Sequence, residues 1–187
     1  IGRDKFSMRK LGAELGVDPM AVYRYYEDQE ALFDGIAEAL FAEIDVETLP
    51  WNGTWRDLAE QYTRRLRTTL LAHPNAVSIF ATRPLRSPKA IEVGNRMIEL
   101  MTTSGFSPGV ALQVLRCLRE FTIGHALSLA VLRLGGGRRS RKPAPDSPDY
   151  NLLARSADDA GTDDHFDLGL TAMLDSFTAL IRRTSKR

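Results

Sequence analysis

The sequence has few of the residues that build cross-links, metal sites or catalytic sets. Its 187 residues include one cysteine, Cys117, and three histidines that lie far apart. One cysteine cannot form a disulfide within the chain, and without a cluster of cysteines and histidines we expect no metal site and no cofactor. No Ser/His/Asp or Cys/His set is recognisable either, so we expect no enzymatic activity.

The sequence also lacks a long apolar run and an excess of either charge. No run reaches the roughly 20 apolar residues that span a bilayer, and no signal-peptide pattern opens the chain, so we expect a cytoplasmic protein with no membrane partner. The 25 basic and 24 acidic residues leave a net charge of +1. This balance is a weak footprint for nucleic acid, so DNA affinity would need placed contacts, dimerisation or residues before Ile1.

What the sequence does contain is apolar residues at helical spacing. Nothing alternates with period two over a useful length, so the chain is predicted to be all-α. Segment 135–164 is rich in glycine, proline, serine and charge, which predicts a long flexible loop. We predict an N-terminal domain over 1–44 and a larger helical-bundle domain over 50–187 that contains this loop. The predicted helices after residue 27 cover about 28–44, 55–73, 75–82, 88–104, 108–134 and 165–183.

The first 26 residues carry the start and stop signals of two short helices. Ser7 is a good N-cap for a helix over 8–15, and Gly16 supplies the left-handed residue that ends it. Asp18 and Pro19 start a second helix at once, so the spacing predicts a helix-turn-helix. We expect a further helix, needed for a three-helix DNA-binding unit, to precede the given start. The residues expected to face inward are Leu11, Leu15, Val17 and Val22.

The second helix presents two tyrosines and an arginine outward, namely Tyr23, Arg24 and Tyr25. Such side chains suit hydrogen bonds to phosphates and contacts to base edges. Five basic and three acidic residues give residues 1–26 a charge of only +2. On spacing and charge alone, DNA binding and an ordinary helical corner of a bundle both stay open.

The stretch LGAELGVDPMAVYRYYEDQEALFDGIAEAL, which begins at Leu11, resembles the DNA-binding signature of the tetracycline-repressor (TetR) family of transcriptional regulators. The similarity continues through 81–84, 101–106, 121–124 and 166–170, and so covers nearly the whole chain. It implies a helix-turn-helix DNA-binding domain joined to a larger helical domain for ligand binding and dimerisation.

The resemblance implies a DNA surface on the first three helices. Tyr23 and Tyr25 are the expected phosphate contacts, and Met20 suggests apolar contact with a thymine methyl group. Gln29 departs from the family, which usually has a lysine there. The residues placed at the DNA surface are Arg9, Met20, Ala21, Tyr23, Arg24, Tyr25 and Gln29.

The resemblance also implies a ligand pocket in the larger domain. Tetracycline-binding members hold a magnesium-chelated drug with a histidine and a glutamate, where this chain has Ile79 and, roughly, Val131. We therefore predict a mainly apolar effector and no metal. Methionine and aromatic residues at helical spacing are also common in plain cores, so ordinary packing stays an alternative at each position. The implied lining residues are Tyr62, Ile79, Thr82, Met97, Met101, Phe121 and His125.

Taken together, the resemblance implies a homodimeric repressor with double-stranded operator DNA and a small-molecule effector as partners. The helix ending at Leu134 and the helix from His165 would pair with their mates in a four-helix interface. Ligand binding would shift the helix over 28–44 and change the spacing of the two DNA-reading heads. An activator of the same family, or a helical carrier or enzyme without DNA binding, stays open as an alternative.

Overall fold

The computed structural model describes residues 6–133 and 164–184, with Leu152 and Ser156 as isolated positions between them. The described residues contain helices, turns and connections and no strand, which confirms the all-α prediction. The predicted loop over 135–164 lies almost wholly outside the described residues, although Leu152 and Ser156 are helical and exposed. No described helix is long and apolar enough to cross a membrane. The helices are α1 (Met8–Leu15), α2 (Pro19–Tyr23), α3 (Gln29–Ala42), α4 (Trp55–Ala72), α5 (Val77–Thr82), α6 (Pro88–Thr103), α7 (Pro108–Arg133) and α8 (Asp164–Thr184).

The predicted caps set the bounds of α1 and α2. The Ser7 hydroxyl accepts a hydrogen bond from the Lys10 amide at 3.2 Å, and Gly16 ends α1 with a φ of 68°. Asp18 accepts from the Met20 amide at 2.8 Å, so α2 begins where the sequence predicted. Helix α2 then ends after five residues at Tyr23.

The packing of this N-terminal unit, residues 6–26, differs from the prediction in one respect. Leu11 and Val22 face inward as expected, but Leu15 and Val17 are 62% and 44% exposed. They border an open apolar cavity of about 580 Å³ instead. The reason is the length of α2, which has little more than one turn and covers α1 with a single buried side chain, that of Val22. The unit therefore has a small core.

Helix α3 belongs to both parts of the molecule. Asp28 caps it by accepting a hydrogen bond from the Ala31 amide at 2.7 Å. Near its start, Leu32 completes the small core with Met8 and Val22. Near its end, Leu40 and Phe41 are buried in the core of the bundle formed by α4 to α8. A movement of α3 would therefore displace side chains in both cores.

The bundle has two apolar cores on either side of α4. Thr54 and Asp57 form a capping box at the start of α4, and this helix packs most extensively on α7. One core joins α4 to α3, α5, α6 and α7, with Leu66, Leu70 and Phe80 almost fully buried. The other joins α4 to α6, α7 and α8 and includes Trp55, Met101, Phe106, Leu118, Phe166 and Leu170.

Candidate functional site

Most of the side chains predicted to meet DNA are exposed. Arg9 on α1 is exposed, as are Met20, Tyr23 and Tyr25, whose exposed fractions are 65%, 46% and 84%. Arg24 is exposed as well, and neither arginine has an ion-pair partner among the described residues. Large aromatic and apolar side chains left in solvent beside unpaired arginines are typical of a binding surface.

Two of the predicted DNA-contacting residues are less prominent. Ala21 is partly buried and borders the apolar cavity of the N-terminal unit, so little of it projects outward. Gln29 is partly exposed at the first position of α3, directly after the cap residue Asp28. Both side chains are therefore less exposed than that of Tyr25.

A second candidate site is a cavity of about 650 Å³ in the bundle. Helices α6 and α7 and the segment after α5 form its walls, and α3 and α4 each contribute one residue. Three of the seven residues predicted to line a pocket, Tyr62, Thr82 and Met97, lie in these walls. A volume of this size suits a drug-sized molecule. The remaining lining residues are Phe41, Ala81, Arg83, Pro84, Leu85, Ala90, Val93, Gly94, Ile98, Leu112, Leu115, Arg116 and Arg119.

The other four predicted pocket residues lie elsewhere. Ile79 is partly buried on α5 but does not reach the cavity. Met101 is 1% exposed within the core shared by α4, α6, α7 and α8. Phe121 stacks on Phe166 with ring centroids 5.1 Å apart, and His125 lies 4.9 Å from the same ring. These four side chains do not line this cavity, and their place in a ligand site stays a prediction.

The geometry of α7 explains why Phe121 and His125 face away. The side chains of Leu112, Leu115, Arg116 and Arg119 recur every three or four residues and so share the face that lines the cavity. Phe121 follows Arg119 by two residues, which turns it roughly 200° around the helix axis. It consequently packs against α8.

Sequence reasoning missed the charge of the cavity. Arg83, Arg116 and Arg119 all line it, and none of the described residues in its lining is an aspartate or a glutamate. The signal was present in the helical spacing of Arg116 and Arg119 with Leu112 and Leu115, which marks two arginines on an otherwise apolar face.

Arg83 connects the cavity to α3. Its guanidinium forms ion pairs with Glu30 and Asp34 in the first turns of α3, the latter at 3.3 Å, and lies 5.7 Å from the ring centre of Phe33. Its side chain is only 12% exposed. The hydrogen bond to Glu30 is the main reason that the pKa of Arg83 is raised above its ordinary value. The positive charge of Arg83 is thus already balanced by the protein.

A second connection lies one turn further along α3. The Glu38 carboxylate accepts hydrogen bonds from the backbone amides of Arg86 and Ser87 at 2.7 and 2.9 Å. Burial opposes ionisation of Glu38, but hydrogen bonds from Ser87 and Arg86 outweigh it and lower the pKa of this carboxyl. The segment over 83–87 therefore holds α3 at two points.

Tyr62 and Arg119 both line the cavity. Burial raises the pKa of Tyr62 to about 12, although the nearby Arg119 lowers it. Arg119 donates a hydrogen bond to the Phe80 carbonyl oxygen at 3.0 Å and lies over the Phe80 ring at 5.2 Å. The tyrosine stays a neutral hydroxyl donor at physiological pH, and the arginine is fixed in place.

Comparison with known proteins covers nearly the whole chain. Residues 49–181 match the family described as "Tetracyclin repressor-like, C-terminal domain". Tetracycline repressor protein class A from transposon 1721 of Escherichia coli is 31% identical over 179 residues, which cover 94% of this chain and 82% of the relative. The class G repressor of Vibrio anguillarum is 27% identical, with 96% and 87% covered.

Solved structures show the same similarity. A possible TetR family transcriptional regulator from Streptomyces coelicolor superposes with a TM-score of 0.78 at 26% identity, and the match covers 96% of this chain and 92% of that one. A variant of TetR from Acinetobacter baumannii, in complex with minocycline, superposes with a TM-score of 0.74 at 25% identity, with 95% and 84% covered.

Proposed function

This chain belongs to the tetracycline repressor-like family of ligand-responsive transcriptional regulators, and from that premise we propose that it is a repressor that binds a palindromic operator as a homodimer and leaves it when a small molecule binds. The observation that carries the proposal is the double connection of α3 to the cavity wall, through Arg83 to Glu30 and Asp34 and through Glu38 to the amides at 86–87. Residues 1–44 would read DNA, and residues 50–187 would bind the ligand and dimerise.

DNA contact is assigned to the exposed surface of α1 and α2. The hydroxyl groups of Tyr23 and Tyr25 would donate hydrogen bonds to phosphates, and Arg9 would read a base edge from α1. The chain has a net charge of only +1, so one N-terminal unit would bind weakly. A dimer doubles the contacts and adds the spacing of two half-sites, ~34–36 Å apart, to the recognition.

The dimer interface is assigned to the outer faces of α7 and α8. Leu127 and Val131 on α7 are 39% and 53% exposed, and Leu168 on α8 is 73% exposed. Ala172 and Ala179, on the same side of α8 as Leu168, are small and exposed, which permits close approach of another helix. Pairing of two copies through these helices would bury the apolar face in a four-helix arrangement.

The ligand would act through the segment over 83–87. A molecule in the cavity touches Thr82, Arg83 and Leu85, and any shift of this segment is passed to α3 by the Arg83 ion pairs. Helix α3 starts four residues after Tyr25, so its movement changes the separation of the two DNA-reading surfaces. A coupling of ~1–3 kcal/mol is sufficient for such a switch. The minocycline complex of the related TetR variant supports a small-molecule effector.

The proposal is tested by operator binding of the full chain. An inverted repeat from the promoter region of its own gene should be bound about a thousandfold more tightly than a scrambled repeat, measured by fluorescence anisotropy across a salt titration. A protein that is dimeric by light scattering, yet binds both sequences equally at every salt concentration, would overturn it.

The division of roles is tested with the same two DNA sequences. Tyr25→Phe should lower affinity for both about equally, since a phosphate contact carries no sequence information. Arg9→Ala should cost about 1–3 kcal/mol on the repeat and less on the scrambled DNA. An equal loss on both sequences for Arg9→Ala would refute its assignment as a base reader.

A further inference from the structure

We propose that the effector is an amphipathic organic anion, a molecule with an apolar body and one carboxylate or similar acidic group, and that Arg116 and Arg119 bind this group. The inference rests on the proposed function, since it names the ligand class of that cavity. It replaces the mainly apolar effector that the sequence predicted. The observation behind it is that the described residues of the cavity wall include three arginines and no acidic residue.

The three arginines do not contribute equally. Arg83 already faces Glu30 and Asp34, so its charge is balanced. Within the described part of the chain, Arg119 contacts the carbonyl oxygen and the ring of Phe80, which are neutral groups. Arg116 is exposed at the rim of the cavity and has no ion-pair partner among the described residues. Two positive charges in the wall are therefore available to a ligand.

Two arginines on α4 form ion pairs within the bundle. Arg56 pairs with Asp175 at 2.8 Å, and Arg64 pairs with Glu60 and Asp167 at 2.9 and 2.6 Å. Because a guanidinium group binds a carboxylate through two parallel hydrogen bonds, the cavity has the donors that an acidic ligand group requires.

The other residues that line the cavity indicate the chemical character of the rest of the ligand. The hydroxyl of Tyr62 makes no hydrogen bond within the described residues and lies close to Arg119, so it can donate a further hydrogen bond to the same anion. The cavity is also lined by the apolar side chains of Val93 and Met97 on α6 and of Leu115 on α7. This arrangement fits a molecule with one charged end and an apolar body.

The test compares two fluorescent probes with the same rings. Anilinonaphthalene sulfonate carries one negative charge, and phenylnaphthylamine is its uncharged counterpart. The full chain should bind the sulfonate more tightly, and Arg116→Gln should raise its Kd roughly fivefold to tenfold while the Kd of the uncharged probe stays unchanged. Arg96→Gln is the matched control, because Arg96 lies over Trp51 at 4.1 Å, outside the cavity, and the same charge is removed.

A further variant locates the binding site. Gly94 lines the cavity, and a Cβ added there meets nothing within 4 Å, so Gly94→Phe should fill the cavity without disturbing α6. It should abolish binding of both probes, while circular dichroism shows an unchanged helix content.

Each contrary result has a distinct meaning. If Gly94→Phe blocks both probes but Arg116→Gln and Arg96→Gln have the same small effect on the sulfonate, the anion proposal fails and the proposed function stands. If Gly94→Phe leaves sulfonate binding unchanged, the cavity is not the ligand site, and the anion proposal and the ligand route of the proposed function both fail. Absence of sulfonate binding by the unmodified chain would also overturn the anion proposal.

Discussion

The N-terminal unit and the bundle differ in how completely they bury their apolar side chains. The N-terminal unit has three buried apolar residues in its core, one of them supplied by α3, and it leaves Leu15, Met20 and Tyr25 more than 60% exposed. The bundle has two extended cores whose central residues, such as Leu70 and Leu174, are fully buried. The N-terminal unit therefore exposes a larger share of its large apolar side chains than the bundle does, although Leu168 of the bundle is 73% exposed.

This difference makes α3 the element on which the N-terminal unit depends. Leu32 fills the small core, while Leu40 and Phe41 anchor the other end of the same helix in the bundle. A unit with so little buried surface gains order chiefly from this attachment. In the proposed mechanism, the same attachment passes a movement of the bundle along α3 to the DNA-binding residues.

The largest expected contrast comes from one substitution made in each region. Leu70→Ala removes a fully buried side chain from the bundle and should lower the free energy of unfolding by about 2–5 kcal/mol. Leu15→Ala removes a side chain that is 62% exposed and should change it by less than about 0.5 kcal/mol. Urea unfolding of the full chain, followed by circular dichroism, measures both values. Similar losses would contradict the contrast between the two regions.

The sequence predicted well what depends on neighbouring residues. Ser7, Asp18 and Thr54 accept the hydrogen bonds that begin their helices, and Gly16 ends α1 in the left-handed conformation. Each of these signals depends only on residues within a few positions of a helix end, so the sequence alone is enough to predict it. The same locality explains why the helix bounds of the described residues lie within a few residues of the prediction.

The sequence predicted poorly which neighbouring element each face of a long helix contacts. Helix α7 has 26 residues and contacts two cores, so an apolar residue on it can serve either one. Phe121 and His125 pack against α8, whereas Arg116 and Arg119 line the cavity. Leu15 and Val17 likewise have the right spacing for burial but no helix to cover them, because α2 is short. Tertiary packing decides these cases.

A smaller contrast is expected at two glycines with positive φ. Gly105, at the end of α6, has a φ of 104°, and an added Cβ would lie 2.8 Å from the Cγ2 atom of Ile181. Gly105→Ala combines backbone strain with a clash in the bundle and should cost about 3 kcal/mol. Gly16 has a φ of 68° with open space around it, so Gly16→Ala should cost only about 1 kcal/mol. Thermal unfolding of the two variants gives the comparison, and a larger loss for Gly16→Ala would contradict it.

The smallest effect concerns the joint between the two regions and depends on pH. Glu38 accepts two backbone hydrogen bonds as a carboxylate, so Glu38→Gln should cost about 1–2 kcal/mol at pH 7. The pKa of Glu38 in the folded chain lies below its ordinary value of 4.5. The carboxylate therefore stabilises the fold fully above that ordinary value, and the contribution is lost as the pH falls through the lower folded pKa.

The pH dependence distinguishes this contact from a general loss of charge. Unfolding free energies of the unmodified chain and of Glu38→Gln should differ at pH 7 and converge as the pH falls below 4.5, the ordinary pKa of this carboxyl. Glu99→Gln is the matched control, because Glu99 on α6 is exposed and has no ion-pair partner among the described residues. Its unfolding free energy should follow that of the unmodified chain at every pH. A constant gap for Glu38→Gln across the range would mean that the lost stability comes from packing, and the polar connection of α3 to the segment over 83–87 would then rest on the Arg83 ion pairs.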